Sequence, residues 1–284
     1  MISDQSKVYF KTFDKLRYKF FKYFKYKSLD KFVDLIKYGI IPRPHYALGL
    51  VMAAHQAKEL GYDKISVIEF GCWECDGLID LENYIEDIKK FINIDFNVYG
   101  FDLGDGHPKN NHEDPRNRSY ELSVGDYPFT KKKNLKKLKY TKLILGDVKD
   151  TVPNFLETNN FLSAPLGFIA FDLGYYTSTK NALEVLKNES KYYIPRPILY
   201  CDNNYFVLSN EGDKLAFDEF NNENKKVISP IGELAEQMSL SWKKWIFLGK
   251  RMYQLSDLAH EKYNIHYEQR INMRLNAKFT KTII

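Results

Sequence analysis

Ile65-Ser-Val-Ile-Glu-Phe-Gly-Cys-Trp-Glu-Cys-Asp-Gly77 and, further along, Val98-Tyr-Gly-Phe-Asp102 decide the fold. The first stretch is a short apolar run that ends in an acid, an aromatic and a glycine, and a helical segment is expected over residues 78–91. The second is another apolar run, tipped by Asp102. Strand, glycine turn, helix and carboxylate-tipped strand form a unit that takes a nucleoside: Gly71 lets the backbone approach the ligand, and Asp102 accepts hydrogen bonds from ribose hydroxyls. Only Gly71 and Gly77 stand in the loop. The missing middle glycine of a dinucleotide fingerprint argues against a pyrophosphate pressed onto the helix N-terminus.

Outward from this unit, Arg43-Pro-His-Tyr46 leads into a helix expected over residues 47–60 and ended by Gly61. Strands are expected at 65–70, 97–102, 142–145, 166–172 and 198–202, and a further helix at 178–187. Alternating strands and helices predict a Rossmann-like α/β domain, a mostly parallel sheet with helices on both faces. Ligands of such sheets bind beyond the C-terminal strand ends. Asp102, Asp147, Asp172 and Asp202 stand at four of those ends. Residues 103–134 form a long polar connection, expected to act as a lid or binding loop. Residues 203–230 read as a helix and loops, and residues 242–255 as antiparallel edge strands.

The chain has 284 residues, enough for one large domain (42–284) and an N-terminal arm (1–41). Residues 1–40 hold ten Lys/Arg and four Asp/Glu, so they carry +6 of a chain whose net charge is +5. The body is therefore almost neutral, which argues against nucleic acid as its substrate. The arm mixes lysines with aromatics. Phe13, Leu16, Phe20 and Phe24 fall at helical spacing, as do Phe32 and Ile36, with Ser28 placed to cap a helix and Gly39 to end it. Two readings stay open: a basic amphipathic surface that docks on a membrane or an anionic glycan, or a helical arm that packs on the domain or on a second copy in a homodimer. No apolar run reaches membrane-span length and no secretory signal is evident. Three cysteines make no disulfide scaffold, so a reduced cytoplasmic protein is expected.

Glu69-Phe-Gly71, Tyr99-Gly-Phe-Asp102, Leu145-Gly-Asp-Val-Lys-Asp-Thr-Val-Pro153, Gly167-Phe-Ile-Ala-Phe-Asp-Leu-Gly-Tyr-Tyr-Thr-Ser-Thr179 and Tyr200-Cys-Asp-Asn203 together resemble successive motifs of class I S-adenosylmethionine-dependent methyltransferases, above all the macrocin (sugar) O-methyltransferase group. The resemblance spans residues 42–260 and implies a seven-stranded sheet. It implies S-adenosylmethionine held at Glu69, Gly71, Cys72, Gly77, Asp102, Asp147 and Val148, with Asp147 toward the adenine. It implies Mg²⁺ at Asp172, Asp202 and Asn203, with Asp172 catalytic and a small-molecule or glycan hydroxyl as acceptor. Metal coordination would lower the pKa of such a hydroxyl. Tyr175 and Tyr176 are candidates for the acceptor pocket.

Three departures stand out. Gly174 replaces an Asp that is a candidate base in relatives, with His107 and His112 as candidate substitutes. Asn203 replaces a common metal-binding Asp, and Cys72-Trp-Glu-Cys-Asp replaces a glycine-rich loop. Two other classes remain as alternatives. The departures motivate a non-catalytic binding or scaffold protein on the same fold. Cys72-Trp-Glu-Cys75, between strand and helix, motivates a redox protein.

Overall fold

The computed structural model describes residues 28–37, 39–108, 114–117, 125–129, 132–159, 161–202, 211–231 and 251–264. The decisive apolar run forms β1 (Lys64–Phe70), buried along nearly all its length, as a strand covered on both faces must be. β1 lies between β2 (Asp95–Asp102) and β4 (Leu166–Phe171), parallel to both. β3 (Lys142–Leu145) extends the sheet beyond β2, and β5 (Tyr193–Cys201) beyond β4, again in parallel. β7 (Met252–Ser256) then pairs antiparallel with β5 and with β6 (Val227–Pro230). The order is β3-β2-β1-β4-β5-β7-β6. The chain winds away in opposite directions from β1 and β4, which opens a crevice at their C-terminal ends.

Alternate residues of the central strands feed two cores, as the two-residue period of a strand requires. Ile65 and Val67 of β1, with Phe168 and Ala170 of β4, pack under α1 (Leu29–Lys37), α2 (Pro44–Glu59) and α3 (Asp76–Ile88). Ile68, Phe70, Ile169 and Phe171 face α5 (Val148–Thr158), α6 (Tyr176–Ala182) and α7 (Gly212–Glu223). A short α4 (Lys132–Leu135) ends the long connection after β2. No helix among the described residues is long and apolar enough to cross a membrane.

Three local expectations change, and one open reading is resolved for residues 29–37. Helix α5 is unforeseen; Asp147 caps it by accepting from Lys149 N at 2.9 Å, and Val148, Val152 and Phe155 form its buried face. β5 starts earlier than expected, because Pro195 and Pro197 fall in an interruption of its register with β4, where no ladder donor is needed. β6 arises within residues read as helix and loops. Phe32, Val33 and Ile36 of α1 join the main core, so residues 29–37 pack on the domain. Lys31 N donates to Ser28 Oγ at 3.4 Å, the expected cap. Residues 1–27 of the arm lie outside the described residues, as do 242–250 of the expected edge-strand region.

Candidate functional site

A cleft of about 320 Å³ opens at the C-terminal ends of β1, β2, β4 and β5, and Gly71, Asp102, Asp147, Val148, Asp172 and Asp202 all line it. Gly71 leaves β1 at φ +83°, and a Cβ there would lie 2.0 Å from the Asp172 carbonyl oxygen. Only glycine lets the loop pass this close to the end of β4. Asp102 then gathers the loop. Its Oδ2 accepts from Cys72 N at 2.9 Å and Trp73 N at 2.7 Å, and its Oδ1 from Gly104 N at 2.7 Å. Oδ1 keeps one acceptor site for a ligand hydroxyl. Asp147 and Val148 border the cleft from the N-terminus of α5.

Three expected cofactor contacts instead stand behind the cleft wall. Glu69 is buried and accepts from the Tyr46 hydroxyl at 2.7 Å, and none of its atoms lines the cleft. Gly77 faces it: a Cβ there would sit 2.0 Å from Glu69 Oε1. Burial pushes the Glu69 carboxyl up to about 7, against the pull of Tyr46 and Arg43. Cys72 serves through its backbone N–H, while its thiol points inward and is driven by burial, then by Glu69 and Asp102, well above the usual thiol range. Burial pushes Cys75 up to about 12. Neither thiol has the thiolate character that redox exchange requires.

At the other end of the cleft, Asp172 and Asp202 both line the wall, close enough for their charges to interact. Asp172 is exposed at the cleft; desolvation by the chain packed around it, then the charges of Asp202 and Glu69, pushes its carboxyl above the usual carboxylate range. Asp202 Oδ1 accepts from Arg251 Nη1 at 2.6 Å and from the Tyr200 hydroxyl. Asn203 lies outside the described residues. Among the described residues no group of three His, Cys, Asp or Glu side chains is placed to hold a metal ion. Mg²⁺ takes a near-octahedral set of oxygens. Of the three residues expected to hold Mg²⁺, Asp172 and Asp202 line the cleft, with Arg251 on one oxygen of Asp202, and the third lies outside the described residues.

The sequence reading named His107 as a candidate base and Trp73 within the departing loop, but missed Asp126 and Tyr127 as wall residues. Trp73 meets Tyr127 edge-on with ring centroids 5.3 Å apart, and both are well exposed at the mouth. The long connection folds back on itself: Phe129 N donates to Gly104 O, His107 N to Asp126 O, and Gly125 N to His107 O. This brings His107 and Asp126 into the lining. Gly104, Gly106 and Gly125, all at positive φ, were the available signal for such a fold-back. His112 lies outside the described residues. Tyr175 is buried beneath His107, with centroids 4.9 Å apart, and Tyr176 turns away to donate to Glu219 at 2.5 Å. Neither tyrosine lines the cleft. Arg251 had no local signal; the antiparallel pairing of β7 brings it to the site.

No protein-family model and no curated protein matches the chain. Among solved structures, it is similar to the calicheamicin methyltransferase CalS11 at 17% identity and a TM-score of 0.50, covering 78% of this chain and 88% of that one. The fold is that of the class I methyltransferases. The chain also aligns with the O-methyltransferase NovP at 14% identity and a TM-score of 0.42, covering 65% of this chain and 73% of that one.

Proposed function

We propose that this chain transfers a methyl group from S-adenosylmethionine to a hydroxyl of a small polar acceptor, a sugar unit being the first class to test. One observation carries the reading. A glycine turn, a ribose-type acid and a helix-capping acid line one end of a cleft whose other end holds two interacting carboxylates. In this reading the 71–73 backbone holds the methionine end, Asp102 Oδ1 a ribose hydroxyl, and Asp147 with Val148 the adenine edge. The methyl carbon then points at the Asp172 end. The acceptor oxygen attacks in line, the carbon–sulfur bond breaks, and Asp172 takes the hydroxyl proton; Gly174 leaves room for the acceptor beside it. Positioning and exclusion of water supply most of the acceleration, because the sulfonium is already activated.

The protein to which CalS11 refers is described as a TDP-rhamnose 3′-O-methyltransferase, which makes TDP-rhamnose a reasonable first acceptor. The test is calorimetry with S-adenosylhomocysteine, followed by S-adenosylhomocysteine release from S-adenosylmethionine with TDP-rhamnose and other nucleotide-linked sugars. Binding with turnover supports the reading. A well-folded protein that binds no S-adenosylhomocysteine overturns it in favour of a scaffold role.

A further inference from the structure

The two carboxylates already have a cation of their own. Arg251 lies at the entry to β7. Its carbonyl accepts from Cys201 N at 2.9 Å, and the register that follows pairs Tyr200 with Met252. The backbone of Arg251 is thus fixed to the end of the strand that carries Asp202. Its guanidinium reaches Asp202 Oδ1 at 2.6 Å, with 12% of the Arg251 side chain and 36% of the Asp202 side chain exposed, so solvent screens the pair from the Asp202 side only. The Tyr200 hydroxyl donates to the same oxygen. Tyr200 is itself clamped, stacked on His45 at 4.1 Å and edge-on to Tyr46 at 5.6 Å. Both acceptor sites of Oδ1 are therefore taken, while Oδ2 accepts from no described residue. A divalent ion approaching this pair meets a fixed positive charge one carboxylate away, and that repulsion weakens its binding even with solvent in the cleft.

We infer that Arg251 is the built-in counter-cation of the Asp172–Asp202 pair, and that a divalent ion competes with it for the pair instead of residing there. In the proposed methyl transfer, on which this part rests, Arg251 is a positioning residue. It binds Asp202 through one oxygen and limits the negative charge that faces the incoming hydroxyl, a task a metal would otherwise perform.

The test needs no acceptor. Mn²⁺ is titrated into the full chain, and free Mn²⁺ is followed by electron paramagnetic resonance for wild type, Arg251→Met, Arg251→Gln and Arg251→Lys. Wild type is expected to bind Mn²⁺ weakly. Either neutral variant should tighten binding by at least about tenfold, given the charge removed. Arg251→Lys, which keeps the charge, should stay near wild type, a distinction that a purely structural role does not make. Adding Asp202→Asn to a neutral variant should abolish the gain. Unchanged or weakened Mn²⁺ binding in a folded neutral variant overturns the inference, and so does an equal gain in Arg251→Lys. The Gln variant keeps the test decisive if the Met variant fails to fold. A parallel titration with S-adenosylhomocysteine separates the two readings: its failure in wild type sinks the methyl-transfer reading, while the Mn²⁺ series still decides the counter-cation.

Discussion

In the proposed reading Asp102 has two roles, because the carboxylate that would offer one oxygen to a ribose also ties down Cys72, Trp73 and Gly104. Asp102→Ala is therefore expected to lower S-adenosylhomocysteine affinity at least about tenfold in calorimetry, since a charge-assisted hydrogen bond contributes roughly 1.5–3 kcal/mol. Hydrogen exchange should also speed up at the Cys72 and Trp73 amides; protected amides together with full affinity would contradict both roles. Glu69 sets a pH dependence. Its carboxyl rises from 4.5 to about 7 on folding. The folded state then keeps a proton that the unfolded chain releases. This contribution to stability is complete below pH 4.5, shrinks as pH rises, and is gone above 7, a swing of about 3 kcal/mol. Chemical denaturation of wild type and Glu69→Gln from pH 4.5 to 8 checks it: the stability difference should move toward the variant as pH rises, and a flat difference refutes the shift. The strand-end acids were legible because the chemistry of a strand end lies in consecutive residues. The retreat of Glu69 behind the wall was not, because Tyr46 and Gly77 approach it from two other elements.

At the scale of elements, the turn after β1 tolerates no side chain. Gly71→Ala combines positive φ with a Cβ 2.0 Å from a backbone oxygen that cannot yield, whereas Gly77→Ala in α3 presses only on the Glu69 carboxylate. Urea unfolding should show the first variant losing more than about 3 kcal/mol and the second about 1–3 kcal/mol. A mild Gly71→Ala would mean the loop has room that the geometry denies it. The central strands were legible from their apolar runs, because burial on both faces leaves no other pattern. Helix α5 was hidden by Pro153 and by polar residues between Val148, Val152 and Phe155, so its narrow buried stripe did not stand out. β6 was hidden by its brevity and by the Asn- and Lys-rich residues that precede it.

For the whole molecule, the cleft spans the junction of two half-sheets, so a ligand there ties β1 and β2 to β4 and β5. S-adenosylhomocysteine at a hundred times its Kd is expected to add about 2.7 kcal/mol and to raise the melting temperature by about 5 °C or more. A melting curve that ignores the ligand at such a concentration would mean that the folded chain does not bind it in preference to the unfolded one. The fold class was legible from alternation and from strand-end acids, but the acceptor end was not, because Arg251 reaches it only through a pairing set by the whole sheet. That pairing bears on how the protein is made. β7 is the last of the described strands along the chain, yet it is threaded between β5 and β6. A nascent chain that has emerged only through β6 leaves the ribosome with its nucleoside rim assembled, an apolar strand margin uncovered and one strand without a neighbour. Translation must run on past Ser256 before β5 and β6 gain the strand that joins them.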